Sequence, residues 1–404
     1  MGIGHYDNPY LVAEWHRDPP AGTTCEPLRF VTPDRSMAAG WLYARGGQDT
    51  VVVLAHPRAD FARHYAVPGL VEAGFATLTI NTRFAGNEAG VIHEACLVDV
   101  ATALTEMRSR YDRVALIGNS GGGSLFTYYV EQAGAPEGTR HTETPAGDPY
   151  DLNRFDLPLP DLMIYLAAHP GEGHYLLHAI DPSVTDEADP LSCDPALDMF
   201  DPANGFAEPP AESRYEPEFL ARYRAAQRDR VARIDAAARE VVAQRRQARA
   251  RWKESGDRAD RRASIATRFL AIYRTDADPR FTDLSLDPST RTYGSIWGVR
   301  PDWINYGAVG FSRVMSPEGW LSSWSGLSAF AEIAHTGPGM TLPCLHVSYS
   351  GDNVVFPSDS DLICNSLGTT DLIRHVVDAD HYGFPAETGR DQAVARIAAW
   401  LRER

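Results

Sequence analysis

Apolar positions along this chain keep two rhythms, strand-like and helix-like, separated by a long middle stretch that keeps neither. Thr50–Ala55 is an unbroken, largely β-branched apolar run, which predicts a strand buried on both faces. Before it, Leu28–Pro33 and Met37–Ala44 predict a hairpin about the turn Pro33-Asp34-Arg35. After it, Tyr65–Ala73 has helical spacing and stops at Gly74, and Phe75–Ile80 reads as the next strand. Val91–Tyr111 repeats apolar residues every three or four positions, with Cys96, Leu97, Val100, Leu104 and Met107 on one face, so it predicts a helix. Arg113–Gly118 follows as a strand, Ser124–Gln132 as a helix and Leu162–Ala168 as a strand. This alternation predicts an α/β fold: a mostly parallel sheet with helices on both faces.

Past Pro170 the pattern breaks. Residues up to about Pro217 are rich in Pro, Asp and Gly and read as loops, and Glu218–Ser255 reads as a long helix. A second helical piece, Ala259–Tyr273, is expected after the break at Ser255-Gly256-Asp257. Tyr293–Trp324 is dense in aromatic residues and glycine. Pro343–Ser350 (strand), Ser360–Ser366 (helix), Leu372–Val377 (strand) and Gly389–Arg404 (helix) then restore the opening rhythm. A sheet that stops and resumes implies an insertion. The expected division is a core of residues 1–170 and 336–404, with a large, mainly helical lid of residues 171–335 between the sixth and seventh strands.

Charge narrows the partners. The 404 residues carry a net charge of −16, which disfavours nucleic acid and anionic membrane surfaces. No run approaches the roughly 20 apolar residues of a membrane span. Met1–Pro20 lacks a basic flank followed by an apolar stretch, so no signal peptide is expected, and Tyr6 spoils a myristoylation motif at Gly2. Five scattered cysteines read as reduced thiols of a cytoplasmic protein. His169, His174 and His178 have only Glu172 as a nearby acidic ligand, so no metal is expected. Arginines between Arg222 and Arg262 are interspersed with acids and alanines, which predicts a solvated helical pair and a candidate homodimer surface.

The sharpest chemical signal is Gly118-Asn119-Ser120-Gly121-Gly122-Gly123 between a predicted strand and a predicted helix. A strand that turns at once into a helix holds its serine at a strained position, with glycines two residues either side making room. The hydroxyl projects from the sheet edge, and the Gly121 amide can face a developing oxyanion. Glycine-rich phosphate loops are not matched, since no Lys-Ser/Thr follows and the glycine spacing is wrong. A serine nucleophile needs a base and an orienting acid. Asp352 follows one late strand and His381 the next, giving the chain order Ser120, Asp352, His381.

With these residues in place, the chain resembles the α/β-hydrolase superfamily of serine hydrolases, over Leu28–Ala168 and Pro343–Arg404. The resemblance implies Ser120 as nucleophile, His381 as general base and then acid, Asp352 as orienter, and no cofactor. Asp378, Asp380 and Glu172 are secondary candidates for the acid. The family's His-Gly loop is here His56-Pro57-Arg58-Ala59. Pro57 has no amide hydrogen, which leaves the Arg58 amide as the expected second oxyanion donor beside Gly121. The Arg58 side chain reads either as a holder of a substrate carboxylate or as a solvated surface group. Asn81-Thr82-Arg83-Phe84-Ala85-Gly86 resembles the family's Asp-x-Arg-Gly-x-Gly loop, with Arg83 expected to brace loops.

Expected substrate-binding residues are His56, His169, Trp297, Trp303, Tyr306, Trp320 and Trp324, the aromatic set forming a lid over an apolar, aromatic-accepting pocket. The expected reaction is cleavage of a carboxylic ester or lactone of a small substrate. Three alternatives stand beside it. The Gly-Asn-Ser-x-Gly-Gly elbow is similar to that of meta-cleavage-product carbon–carbon hydrolases, although Gly121 stands where they carry methionine. Amidases and thioesterases use the same residues. A catalytically silent binding module is the non-enzyme reading.

Overall fold

The computed structural model describes residues 15–404. The readings of Gly2 and Tyr6, and most of the leader reading of Met1–Pro20, therefore lie outside the described residues. β1 (Thr24–Val31) and β2 (Met37–Ala44) form the expected hairpin, and β3 (Thr50–His56), β4 (Ala76–Asn81), β5 (Arg113–Asn119) and β6 (Leu162–Leu166) follow. The chain then leaves the sheet. It forms a small antiparallel ladder from β7 (Leu270–Ala271) and β8 (Val314–Met315), and returns as β9 (Cys344–Tyr349) and β10 (Leu372–Val377). The main sheet has eight strands in the order β1-β2-β4-β3-β5-β6-β9-β10. β2 is antiparallel to both its neighbours, and every pairing from β4 to β10 is parallel.

All seven residues of β3 are buried, as its β-branched run requires of a strand covered on both sides. Its side chains alternate between two cores. Val51, Val53 and Ala55 pack with Leu97, Val100, Leu104, Leu125 and Tyr129 of α2 (His93–Arg108) and α3 (Gly122–Gly134). Before them in the chain comes α1 (Ala66–Glu72), and on that opposite face Val52 and Leu54 meet Ala66 and Leu70 together with Ile397 and Leu401 near the C-terminus.

The insertion opens with α4 (Glu172–Ala179) and is dominated by α5 (Pro217–Ser255), a helix of 39 residues. Alanine, arginine, glutamine and glutamate favour that helix. Pro217 starts it, and Gly256, at φ 72°, ends it. Val231, Ile234, Ala238 and Val242 pack on Trp320, Leu321 and Trp324 in a further core built mostly by the insertion, with Ala146 at its side. Several of its arginines are paired within the chain: Arg230 is fully buried and pairs with Glu187, Arg224 pairs with Asp278, and Arg245 with Glu318.

The second helical piece is shorter than its composition suggests. α6 (Arg258–Ala263) ends just past the break, and the chain runs on to β7, where Leu270 and Ala271 pair with Met315 and Val314. Pairing with a segment far along the chain overrides the local preference at Ala259–Tyr273. Beyond the insertion lie α7 (Pro357–Ser366) and α8 (Arg390–Arg402). No helix of the described residues is long and apolar enough to cross a membrane.

Asp235 on α5 ties the insertion together, accepting from Trp320 Nε1 at 2.7 Å and Ser325 Oγ at 2.9 Å, with Ser328 Oγ a third donor. Asp235→Ala leaves a buried indole N–H without its acceptor. It should lower the unfolding free energy by about 2 kcal/mol, read from the shift of the urea midpoint; an unchanged midpoint would show that this carboxylate does not anchor the segment.

Candidate active site

β5 turns into α3 at Ser120, whose φ of 53° lies in the left-handed region that side chains rarely adopt. The crowding that glycine relieves is visible. A Cβ on Gly118 would stand 2.6 Å from Gly123 Cα, and one on Gly122 would collide with the Ala55 carbonyl oxygen. The Ser120 hydroxyl stands at the sheet edge where β9 and β10 also end. His381 Nε2 lies 3.2 Å from Ser120 Oγ, although 261 residues separate them. His381 Nδ1 donates to Asp352 Oδ2 at 2.8 Å. The other Asp352 oxygen accepts from the backbone amides of Val354 and Val355, at 2.7 and 2.9 Å. A carboxylate can only accept, so the ring proton belongs on Nδ1 and leaves Nε2 free to accept from the serine.

The secondary acid candidates do other work. Asp380 accepts from the amides of Tyr382 and Phe384, closing a turn, and Asp378 accepts from Ser350 Oγ. Glu172, at the start of α4, is buried against Arg58, with Oε1 at 3.3 Å from Arg58 Nε. Burial alone would push its carboxyl up, but the Arg58 guanidinium holds it down at about 2. Arg58 is therefore not the solvated group its position suggested. Its guanidinium also meets Glu88 at 2.9 Å and lies 4.6 Å from the Phe311 ring centre and 5.0 Å from that of Trp324. Two carboxylates already match its charge, which removes the case for a substrate carboxylate there.

The loop after β3 corrects the expected oxyanion donor. The Arg58 amide donates to His56 Nδ1 at 3.2 Å, and the Ala59 amide does the same at 3.2 Å. Arg58 is thus engaged by a side chain of its own loop. Gly121, the other expected donor, is the residue directly after Ser120, at the N-terminal end of α3. Arg83 braces loops as expected, reaching Asp99 on α2 and Asp34 in the β1–β2 turn.

A cavity of about 70 Å³ opens onto Ser120 and His381. His56 and His169 line it, as expected. Burial lowers the ordinary basicity of both rings, and His169 falls to about 4. The aromatic set expected over it does not reach it: Trp303 and Tyr306 are exposed on the surface, and Trp320 and Trp324 are fully buried in the insertion core. Trp297 packs behind Phe311 at 4.9 Å between ring centres. The stretch contributes Ile296 and Phe311 instead, joined by Phe61 and Tyr65 from the segment after β3, Tyr175 on α4 and Val354 beside Asp352. Tyr175 had one sequence signal, its position a single turn after Glu172 on the same helix.

His174 pairs with Asp359 at 3.0 Å, and His178 donates to the His174 carbonyl. Among the described residues no group of three or more His, Cys, Asp or Glu is placed to hold a metal ion.

No protein family description matches the chain, and neither does any curated protein sequence. Solved structures do. The structure of DcsB in complex with its substrate analogue superposes with a TM-score of 0.50 at 10% identity, covering 94% of this chain and 99% of that one. A hypothetical protein, PA2218 from Pseudomonas aeruginosa, gives 0.49 at 14% identity over 96% and 95%. The alpha/beta hydrolase GrgF from Penicillium sp. sh18 gives 0.48 at 12% identity over 94% and 98%. At these identities the likeness is one of fold. A mostly parallel sheet with its second strand reversed and a serine at the bend between its fifth strand and the next helix are the features of the α/β-hydrolase fold, and this chain has that fold.

Proposed function

We propose that this protein is a serine hydrolase that cleaves a carboxylic ester or lactone of a small, apolar or aromatic substrate. The observation that carries the reading is the relay Ser120–His381–Asp352, with contacts of 3.2 and 2.8 Å. In this reading His381 takes the Ser120 proton as the hydroxyl attacks the carbonyl, and the Gly121 amide faces the oxyanion. His381 then returns the proton to the leaving alcohol, giving an acyl-enzyme and freeing the alcohol. Water, deprotonated by the same His381, attacks the acyl carbon, and Ser120 leaves with its proton restored. The apolar lining of the cavity, above all Phe311, Ile296 and Val354, supports a small apolar acyl or aryl group.

Nothing specific favours the carbon–carbon hydrolase reading. Asn119, the residue that suggested it, donates to the Leu166 carbonyl and accepts from His64, so its side chain braces the sheet edge.

Four measurements test the proposal. A fluorophosphonate should label the wild-type protein at one site, and Ser120→Ala should abolish both labelling and p-nitrophenyl acetate turnover; labelling that survives the change would refute the nucleophile. Asp352→Asn should lower kcat by about three to four orders of magnitude with KM little changed, and a loss confined to KM would count against its role. Phe311→Ala should raise KM for aryl esters about tenfold, whereas Trp303→Ala, on the exposed surface, should leave kcat/KM within about twofold. Dienoic ring-fission products turned over faster than aryl esters would overturn the ester assignment.

A further inference from the structure

We propose that the second oxyanion donor is the His56 side chain, acting through its Nε2–H, where this fold ordinarily uses a backbone amide. The inference rests on the serine-hydrolase reading above and adds a catalytic residue to it. It starts from the loop sequence. Pro57 supplies no N–H, and the next two amides, of Arg58 and Ala59, both turn back onto His56 Nδ1 at 3.2 Å. A ring nitrogen that accepts from two donors carries its lone pair, so the single proton of the neutral imidazole sits on Nε2. The ring is buried, and burial together with the neighbouring Arg58 charge keeps it neutral.

Nε2 lies close to Gly121. A Cβ built on that glycine would come 2.9 Å from it and 2.5 Å from Glu172 Oε1, so the N–H is beside the residue whose amide is the first donor. Glu172 Oε1 is 3.7 Å from Nε2, too far for a hydrogen bond. Both His56 and Ser120 line the cavity, so a substrate oxygen there can take the bond. Glu172 is itself paired with Arg58 at 3.3 Å, which offsets part of its charge toward an oxyanion. The loop thus replaces one fixed amide with an imidazole N–H whose tautomer two other amides dictate.

The test compares full-length wild type, His56→Phe and His56→Gln on p-nitrophenyl acetate, with phenylboronic acid as the tetrahedral analogue and a fluorophosphonate as the probe of Ser120. His56→Phe should lower kcat by about 10²–10³-fold, with KM changed less than about threefold, and weaken phenylboronic acid inhibition by a similar factor. Fluorophosphonate should still label Ser120 to completion, more slowly. His56→Gln, which keeps a side-chain N–H, should recover at least about tenfold of the loss. In wild type, ¹⁵N spectra should show His56 protonated at Nε2, with that proton moving when phenylboronic acid binds. A His56→Phe rate within threefold of wild type, equal losses in both variants, or an Nε2 proton indifferent to phenylboronic acid would each overturn the inference while leaving the nucleophile standing. A wild-type protein that no fluorophosphonate labels would instead overturn the serine-hydrolase reading, and this inference with it.

Discussion

The backbone at Ser120 is held at φ 53° by its surroundings, and the rest of the site is arranged around that bend. A conformation of this kind costs on the order of 1–3 kcal/mol and persists only where neighbours over-determine it. Here the neighbours are the backbones of Gly118, Gly122 and Gly123 and the carbonyl of Ala55, packed so closely that a side chain at Gly118 or Gly122 would collide. Because β5, β9 and β10 run parallel, their C-terminal ends share one edge, and the loops leaving them deliver Ser120, Asp352 and His381 to one point. Long separation in the chain then costs nothing in the native state. The sheet is the ruler.

In the loop after β3, a change at one residue redirects its neighbours. Pro57 supplies no amide hydrogen, and the next two amides donate to the His56 ring. The Arg58 side chain is then drawn inward, between Glu172 and the faces of Phe311 and Trp324. A guanidinium stacks on aromatic faces and bonds carboxylates at its rim together, which is why arginine, and not lysine, suits the position. Breaking such a buried pair by removing one partner is costly because it strands the other charge. Arg58 and Glu172 therefore fix the wall of the cavity beside Ser120, a structural task in place of either the substrate contact or the solvated position that the sequence left open for Arg58.

How much could be read from the sequence depends on how local each signal is. Thr50–Ala55 declares a buried strand by its own composition, and the Ser120 bend by its own glycines. Asp352 and His381 were legible because each directly follows a strand end, so chain order alone put them at the edge. The aromatic stretch was not legible in the same way. Nothing in Tyr293–Trp324 distinguishes Phe311, which reaches the cavity, from Trp320 and Trp324, which fill the insertion core, or from Trp303, which faces outward. That sorting depends on α5 and on the β7–β8 ladder, both contacts made at long range. The direction of the His56 ring was hidden for a related reason, since it is set by amides whose aim a sequence does not display.

The insertion also reaches the loop that carries Asp352. His174 on α4 pairs with Asp359 at the first turn of α7, and Arg280 of the insertion meets the same carboxylate at 3.4 Å while lying 3.8 Å from the centre of the Phe356 ring. Asp359 in turn accepts from the Phe356 amide, one residue past the pair of amides that hold Asp352. Burial would push the Asp359 carboxyl up, but Arg280 and His174 hold it down at about 2, so it remains charged at neutral pH and keeps these bonds. The N-terminal end of α4 is fixed from the far side by the buried Glu332, whose carboxyl accepts from the His174 amide. One short helix therefore carries Glu172 and Tyr175 to the cavity wall and, through His174, steadies the segment that aims Asp352 at His381. The placement of Asp352 is in this way partly a property of the insertion, which shapes the candidate site from outside the sheet.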